Sequence, residues 1–328
     1  MLRVAIEVER RRFQVAADFE VAAGERMSLF GPSGSGKTTI LETITGLVRP
    51  RTGEIRLGDR ILLRTAAPAM DLPVWRRRVG LLRQNPALFP HLSVDQNLTY
   101  GQGRRRAQDP EELIRRLELG DLGRARPAQL SGGQAHRVAA ARLLLADHDA
   151  LFLDEPYTGL DRRLARLLTD LIRDTAERRH LPTVMVTHEL PEAQAFADTM
   201  AVLDEGRVLQ RGHASEIVRR PASRRVAELV GYVDFLGLPE GGTLGLHPDR
   251  IRPGASPGLG RVLRGTVRRR RPSGAVWEAD LEVASSPTAT LTCRFDDVPP
   301  DPGADCEVTL LDPPRFDRDG KLTAETAR

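Results

Sequence analysis

A glycine-rich segment near the N-terminus has the residue types and spacing of a phosphate-binding loop. The sequence GPSGSGKTT fits the pattern G-x-x-x-x-G-K-[ST]; it follows a short apolar strand, Met27–Phe30, and precedes a helical pattern, Thr38–Leu47. Glycines let successive backbone N–H groups converge on phosphate oxygens, and the helix start adds unpaired donors. We expect Lys37 to bridge the β and γ phosphates and the Thr38 hydroxyl to hold Mg²⁺. The expected nucleotide-binding residues of the loop are Gly31, Pro32, Ser33, Gly34, Ser35, Gly36, Lys37, Thr38 and Thr39.

Two adjacent carboxylates end an apolar run at Ala150–Pro156, which is typical of a buried parallel strand. Open α/β sheets place their ligands at the carboxyl ends of such strands. Asp154 suits Mg²⁺ through its hydration shell, and Glu155 suits the polarisation of an attacking water. The alternative is an acidic pair that only caps a helix.

A third motif, LSGGQ at Leu130–Gln134, precedes the helical pattern Ala135–Leu145. Ser131 is a candidate N-cap, and two glycines occupy the first turn. The sequence therefore predicts a second anion-binding helix start, far along the chain from the first.

The order of these motifs resembles that of the ATP-binding cassette (ABC) ATPases over residues 1–231. In that family the signature helix of one subunit faces the γ-phosphate held by the loop of the other, so two ATP molecules lie in a head-to-tail dimer. The resemblance implies that four residues act in trans on ATP: Ser131, Gly132, Gly133 and Gln134. Ala135 and His136 stand where the family often has Arg and Gln.

The same resemblance assigns four further positions. Gln84 matches the glutamine that touches Mg²⁺ and the attacking water, and His188 matches the histidine that contacts the γ-phosphate. Asp161 matches the aspartate that links the two sites across the dimer. Phe13 is the aromatic residue available to stack on adenine. As single residues, a Gln or a His is more often an ordinary surface or core residue, and here the motif order reverses that expectation.

The predicted fold class is α/β, a P-loop cassette with a mixed sheet and a helical subdomain at about residues 85–145, followed by a small all-β domain. We place the cassette at residues 1–231, a linker at 232–240 and an OB-like β domain at 241–328. Glycine and proline clusters there bound short runs of strand character. These runs are Gly265–Arg270, Val276–Val283, Thr288–Phe295 and Cys306–Leu311.

Composition favours an intracellular, globular protein. The 328 residues include only two lysines among 49 basic residues, so a lysine in the phosphate loop is a selective use of that residue. The N-terminal segment lacks the apolar core of a signal peptide, and export is not expected. Cys293 and Cys306 are predicted to be buried thiols, with a disulfide as the alternative. The run Arg268–Arg271 is interpreted as a solvated strand end, and no nucleic-acid partner is expected.

Three function classes compete. The favoured one is the ATP-hydrolysing subunit of an importer, working as a homodimer on the cytoplasmic face of the membrane beside a permease and, indirectly, a solute-binding protein. The alternatives are a soluble ABC ATPase of DNA repair or translation, and an exporter cassette. The stretch ALFPHLSVDQNLTYG looks most like molybdate importers, whereas sulfate, iron(III), polyamine and sugar importers share nearly all of these positions.

Overall fold

The computed structural model describes residues 1–10, 13–100, 109–283 and 290–323, and the chain forms two compact units, Met1–Ala214 and Ser215–Arg328. The predicted cassette boundary at residue 231 does not coincide with this division. The short helices before residue 231 are bonded within the second unit, for example through Arg224 N to Gly320 O at 2.7 Å. The predicted linker also contains a short strand, Asp234–Gly237. The domain bounds drawn from the sequence therefore stay a prediction.

The described part of the first unit contains eleven strands in one sheet. They are β1 Leu2–Glu9, β2 Gln14–Val21, β3 Arg26–Phe30, β4 Thr52–Leu57, β5 Arg60–Arg64, β6 Met70–Asp71, β7 Val79–Leu82, β8 Ala150–Asp154, β9 Thr183–Thr187, β10 Thr199–Asp204 and β11 Arg207–Gly212.

The helices that begin in this unit cover the sheet and build a helical region between β7 and β8. They are α1 Lys37–Thr45, α2 Val74–Arg77, α3 Val94–Thr99, α4 Pro110–Arg116, α5 Gly132–Leu145, α6 Arg162–Arg179, α7 Leu190–Phe196 and, at the boundary, α8 Ala214–Arg219. Two 3₁₀ turns, Gly120–Leu122 and Pro127–Gln129, lead into α5. Within the described ranges, no helix has both the length and the apolar character needed to cross a bilayer.

The sheet is mixed, in the order β6-β5-β4-β1-β2-β11-β10-β3-β9-β8-β7. Strands β10, β3, β9, β8 and β7 run parallel to one another, and β8 and β9 are buried along their whole length, as expected for strands covered on both faces. In the antiparallel half, β1 and β2 alternate buried and exposed residues instead. The carboxyl ends of the parallel strands meet at one edge, where the connecting loops carry the predicted site residues.

The second unit is mostly β structure after the short helix α9 Arg224–Leu229. Its strands are β12 Asp234–Gly237, β13 Thr243–Leu246, β14 Ile251–Pro253, β15 Arg261–Ser273, β16 Val276–Val283, β17 Thr290–Phe295, β18 Asp305–Leu310 and β19 Arg315–Phe316. The predicted C-terminal all-β region is thus confirmed.

These strands form a three-stranded sheet, β12-β13-β19, and a five-stranded sheet, β14-β18-β15-β16-β17. The Cys293 thiol on β17 donates to Ile251 O on β14 at 3.8 Å, so the first and last strands of the larger sheet lie close together. Both cysteines are free thiols; Cys293 is buried as predicted, whereas Cys306 is only partly buried.

Candidate functional site

The loop between β3 and α1 is a backbone cradle that excludes side chains at two of its glycines. Gly36 has φ 103°, and a Cβ there would lie 2.8 Å from a Val15 methyl carbon; a Cβ on Gly31 would lie 2.0 Å from Leu203 O. Gly36 is also the N-cap of α1, with no side chain bonded to the first-turn N–H groups. Those donors, with the positive end of the helix dipole, are suited to phosphate oxygens.

Lys37 folds back over this loop. Its Nζ donates to Gly31 O and Pro32 O, both at 2.8 Å, and only 5% of the residue is exposed. Burial lowers the pKa of Lys37, and the negative charges of Glu155 and Asp154 oppose that shift. The ammonium group is therefore held against the loop backbone, and its contact with the phosphates stays a prediction.

Asp154 at the end of β8 lies against the loop. The Thr38 hydroxyl donates to its Oδ1 at 3.1 Å. Burial raises the pKa of Asp154, and the hydrogen bond from Thr38 opposes this rise. A hydroxyl beside a partly desolvated carboxylate is an oxygen-donor set that fits Mg²⁺, which keeps several waters and takes few protein ligands.

Glu155 is the centre of the site because side chains that follow the two neighbouring strands, β7 and β9, both contact its carboxylate. Gln84, after β7, donates from Nε2 to Glu155 Oε2 at 2.8 Å, and His188, after β9, donates from Nδ1 to Glu155 Oε1 at 2.9 Å. Glu155 itself adopts φ 47°, a left-handed conformation uncommon for a residue with a side chain. Gln84 was also predicted as a Mg²⁺ ligand, and here its amide is directed to Glu155.

The side chains of Lys37, Thr38, Gln84, Glu155 and His188 line one cleft of about 780 Å³. Its lining comprises Arg10, Phe13, Ser33, Gly34, Gly36, Lys37, Thr38, Thr39, Gln84, Glu155 and His188. Phe13 therefore lies at the cleft, and its contact with adenine stays a prediction. Arg10 was missed: its Nε donates to Thr39 Oγ1 at 3.2 Å and its Nη2 lies 3.5 Å from Glu42 Oε2. The only available signal was its place in the run Arg10–Arg12, which does not say which arginine faces the loop.

The signature residues lie elsewhere in the chain. Ser131 caps α5 through a capping box, accepting from Gln134 N at 3.3 Å while Gln134 Oε1 accepts from Ser131 N at 2.8 Å. Asp161 caps α6, accepting from Leu164 N at 2.9 Å. As far as the described residues show, the cleft lining includes none of Ser131, Gly132, Gly133, Gln134 and Asp161.

The site combines a strand, a glycine-rich loop and a helix with carboxylate, amide and imidazole groups at the ends of the adjoining strands. This combination defines a P-loop nucleotide-binding protein. Residues 16–158 match the family model of ABC transporters. The chain is 40% identical over 240 residues to the molybdenum import ATP-binding protein ModC of Mycobacterium tuberculosis H37Rv, covering 70% of this chain and 64% of that protein. It is 38% identical over 248 residues to the sulfate/thiosulfate import ATP-binding protein CysA of Xylella fastidiosa Temecula1, covering 71% and 69%. The chain therefore belongs to the ABC transporter family, as its motifs predicted.

Solved structures agree. An ATP-binding subunit of an ABC transporter superposes with TM-score 0.58 at 26% identity, covering 67% of this chain and 92% of that one. The cassette MJ0796, in a dimeric post-hydrolysis state with ADP and Pi, superposes with TM-score 0.55 at 26% identity, covering 65% and 99%. The alignments with the first curated relatives span slightly under two thirds of those proteins, at 64% of their length.

Proposed function

We propose that this protein hydrolyses ATP as the energy-coupling subunit of an ABC importer. The observation that supports this most directly is the Glu155 carboxylate, held by Gln84 and His188 beside the loop that carries Lys37 and Thr38. A carboxylate fixed next to a triphosphate cradle is placed to orient a water for attack on the terminal phosphate.

In this proposal each residue of the cleft has a separate role in ATP binding or hydrolysis. The loop N–H groups and Lys37 bind the phosphates, and Thr38 with Asp154 hold Mg²⁺, which when bound neutralises charge on the phosphate oxygens. Glu155 orients the attacking water and accepts its proton. Gln84 and His188 fix the carboxylate from both sides, which restricts Glu155 to a productive orientation. Phe13, which also lines the cleft, supplies a ring for the adenine.

The active state in this proposal is a homodimer. Ser131 and Gly132 are exposed at the start of α5 and do not line the chain's own cleft, so a second copy can present them to the nucleotide. The backbone N–H groups of Gly132 and Gly133, together with the positive end of the α5 dipole, then complete the phosphate-binding site of the other subunit. Asp161 lies in the loop that follows Glu155 and would face the same interface.

Import is proposed because the relatives are named import proteins for molybdenum, sulfate/thiosulfate and Fe(3+). We place the chain at the cytoplasmic face of the membrane, with a permease as direct partner and a solute-binding protein as indirect partner. Molybdate is the first solute to test; sulfate, iron(III), polyamine or sugar uptake are the alternatives, and a soluble non-transport role is less favoured. A nucleic-acid partner is not expected, since Arg268, Arg270 and Arg271 each pair with an acidic residue.

The test of the ATPase is Glu155→Gln. We expect turnover to fall by about 100-fold or more while ATP binding is retained, because the amide cannot accept the proton. Glu205→Gln is the matched control: Glu205 shares the left-handed backbone, with φ 44°, but does not line the cleft. Hydrolysis by the Glu155 variant at the rate of the control would remove Glu155 from this role.

The solute is tested by thermal unfolding with molybdate, tungstate, sulfate and phosphate, each with and without Mg-ATP. A ligand at a hundred times its dissociation constant adds about 2.7 kcal/mol and raises the midpoint by several degrees. A shift with molybdate and tungstate alone would support an oxyanion importer that senses its solute. No shift would leave the solute to transport assays with the permease.

A further inference from the structure

A buried histidine of α5 is bonded to the backbone directly after the proposed catalytic carboxylate. His136 is 2% exposed and its Nε2 lies 2.6 Å from Pro156 O. A carbonyl oxygen only accepts, so Nε2 carries the proton and donates. Burial lowers the pKa of His136, and the bond to Pro156 O opposes the shift. A neutral imidazole with its proton on Nε2 thus connects α5 to the residue that follows Glu155.

The short loop after Glu155 is held at several other points. Thr169 Oγ1 of α6 donates to the hydroxyl of the buried Tyr157 at 2.8 Å. A Cβ added to Gly133, in the first turn of α5, would lie 3.0 Å from Gly159 O, so the helix start and this loop are packed closely. The loop and the first two turns of α5 therefore form one connected element.

The backbone of Glu155 is fixed on both sides. Its own N–H donates to Val186 O on β9 at 3.0 Å, and the next carbonyl, that of Pro156, accepts from His136. Because Glu155 sits at φ 47°, which a side chain rarely adopts, these two bonds offset the strain of the turn that aims its carboxylate into the cleft.

We propose that His136 is a positioning residue that couples the start of the signature helix to the orientation of Glu155. The inference rests on the dimer proposed above, in which the Ser131 end of α5 meets the nucleotide in the partner's cleft while Glu155 serves the chain's own cleft. Movement of α5 when its N-terminus engages that nucleotide is then carried, through the His136 bond, to the carboxylate of the other site. His136 touches neither substrate nor reacting atoms.

Two substitutions separate this role from general packing. In His136→Gln, an amide N–H reaches the place of Nε2–H and keeps the bond to Pro156 O; in His136→Leu, that donor is lost. We expect the leucine variant to lose about ten- to a hundredfold in kcat, with KM for ATP changed less than about threefold, because a misplaced catalytic group affects the chemical step. Its Hill coefficient for ATP should fall toward one. The glutamine variant should retain kcat within about threefold.

The matched control is His148→Leu. His148 is a partly buried histidine, with its pKa lowered to about 4 mainly by burial, and it lies outside both the cleft lining and the Glu155 loop. Its kcat and Hill coefficient should match the wild type. Thermal unfolding of all variants accompanies the kinetics.

ATP-driven dimerisation is measured separately in the Glu155→Gln background, with and without His136→Leu, by size-exclusion chromatography. We expect equal dimer formation, since His136 acts on the carboxylate and not on nucleotide binding. The inference is overturned if His136→Leu keeps wild-type kcat and cooperativity, or if kcat, dimerisation and unfolding midpoint fall together without rescue by glutamine. A wild-type chain that neither hydrolyses ATP nor dimerises would instead refute the proposed function itself.

Discussion

Arg77 is a buried arginine that caps the C-terminal end of the phosphate-loop helix. It is 1% exposed, and its Nη1 donates to Thr43 O at 3.0 Å and to Ile44 O at 2.7 Å in the last turn of α1. Its Nε donates to Leu72 O at 2.8 Å, and its Nη2 donates to Asp71 Oδ1 at 2.8 Å. One guanidinium thus satisfies three carbonyls and pairs with a carboxylate. The cation at this helix end also complements the dipole whose other end faces the cleft.

Arg77→Met removes these donors and leaves a side chain of similar length. The partly exposed Asp71 can be solvated again, but the carbonyls of Thr43, Ile44 and Leu72 lose a donor in a buried place. A buried acceptor left without a donor costs about 1–3 kcal/mol, and with partial rehydration of the three carbonyls we expect a loss of about 3–5 kcal/mol. For a unit of this size, about 2–4 °C per kcal/mol gives a fall in the unfolding midpoint of about 6–20 °C.

The assay is thermal and urea unfolding followed by far-ultraviolet circular dichroism, because the long helices α1, α5 and α6 belong to the first unit. Arg76→Met is the matched control, since Arg76 belongs to the same short helix and is exposed; it should change stability by less than about 0.5 kcal/mol. The reasoning fails if the Arg77 variant unfolds within about 1 kcal/mol of the Arg76 variant.

Two further predictions concern the loop and the thiols. Gly36→Ala should prevent nucleotide binding and lower stability by about 1–3 kcal/mol, because the φ of Gly36 is left-handed and the new Cβ meets Val15. The control is Gly58→Ala, at a residue that also has a positive φ but has open space around it. That variant should cost only about 1 kcal/mol and keep nucleotide binding, which a nucleotide titration measures for both variants. In a Cys306→Ser chain, Cys293 should resist iodoacetamide at pH 8 in the native state and react after unfolding, since burial raises its pKa to about 12 and almost no thiolate forms. Labelling of the native chain at the unfolded rate would contradict this.

The cleft could be predicted from sequence because its parts follow strands that are recognisable one by one. Apolar runs before Gly31 and Glu155 indicate parallel strands, and parallel strands place their carboxyl ends together, so the groups after them had to converge. The start of α5 was also predicted, because Ser131 was a candidate N-cap with two glycines in the first turn, and the helix begins at Gly132. The capping box between Ser131 and Gln134 offsets the low helix propensity of those glycines.

Arg77 and His136 show what the sequence does not contain. Arg77 is the middle of three consecutive arginines, and only the packing of α2 on the end of α1 decides which one is buried. His136 stands at a place where the family often has glutamine, which gives no sign that its partner is the carbonyl after Glu155. Both roles depend mainly on backbone carbonyls twenty or more residues away, those of Thr43 and Ile44 for Arg77 and that of Pro156 for His136, and every residue type carries a carbonyl, so the sequence does not distinguish them.

The separation of Ser131 from the cleft allows one decisive test of the proposed dimer. The capping box satisfies the N–H groups of Ser131 and Gln134, whereas those of Gly132 and Gly133 remain as first-turn donors at the positive end of α5. If the N–H groups of Gly132 and Gly133 bind the phosphate of the nucleotide in the partner's cleft, Ser131→Arg should abolish hydrolysis. The monomer of this variant should still bind nucleotide with a dissociation constant within about threefold of wild type.

Lys37→Ala should do the reverse and lose nucleotide binding by its own cleft, because the loop is left without its cation. Neither variant alone hydrolyses ATP, yet a heterodimer of the two contains one site with an intact Lys37 from one chain and an intact Ser131 from the other. In an equal mixture, half of the dimers are mixed and each has one of two sites, so turnover should recover to at most about a quarter of wild type. A site contained within one chain predicts weaker nucleotide binding by the monomeric Ser131 variant and no recovery on mixing, and that pair of results would refute the shared site.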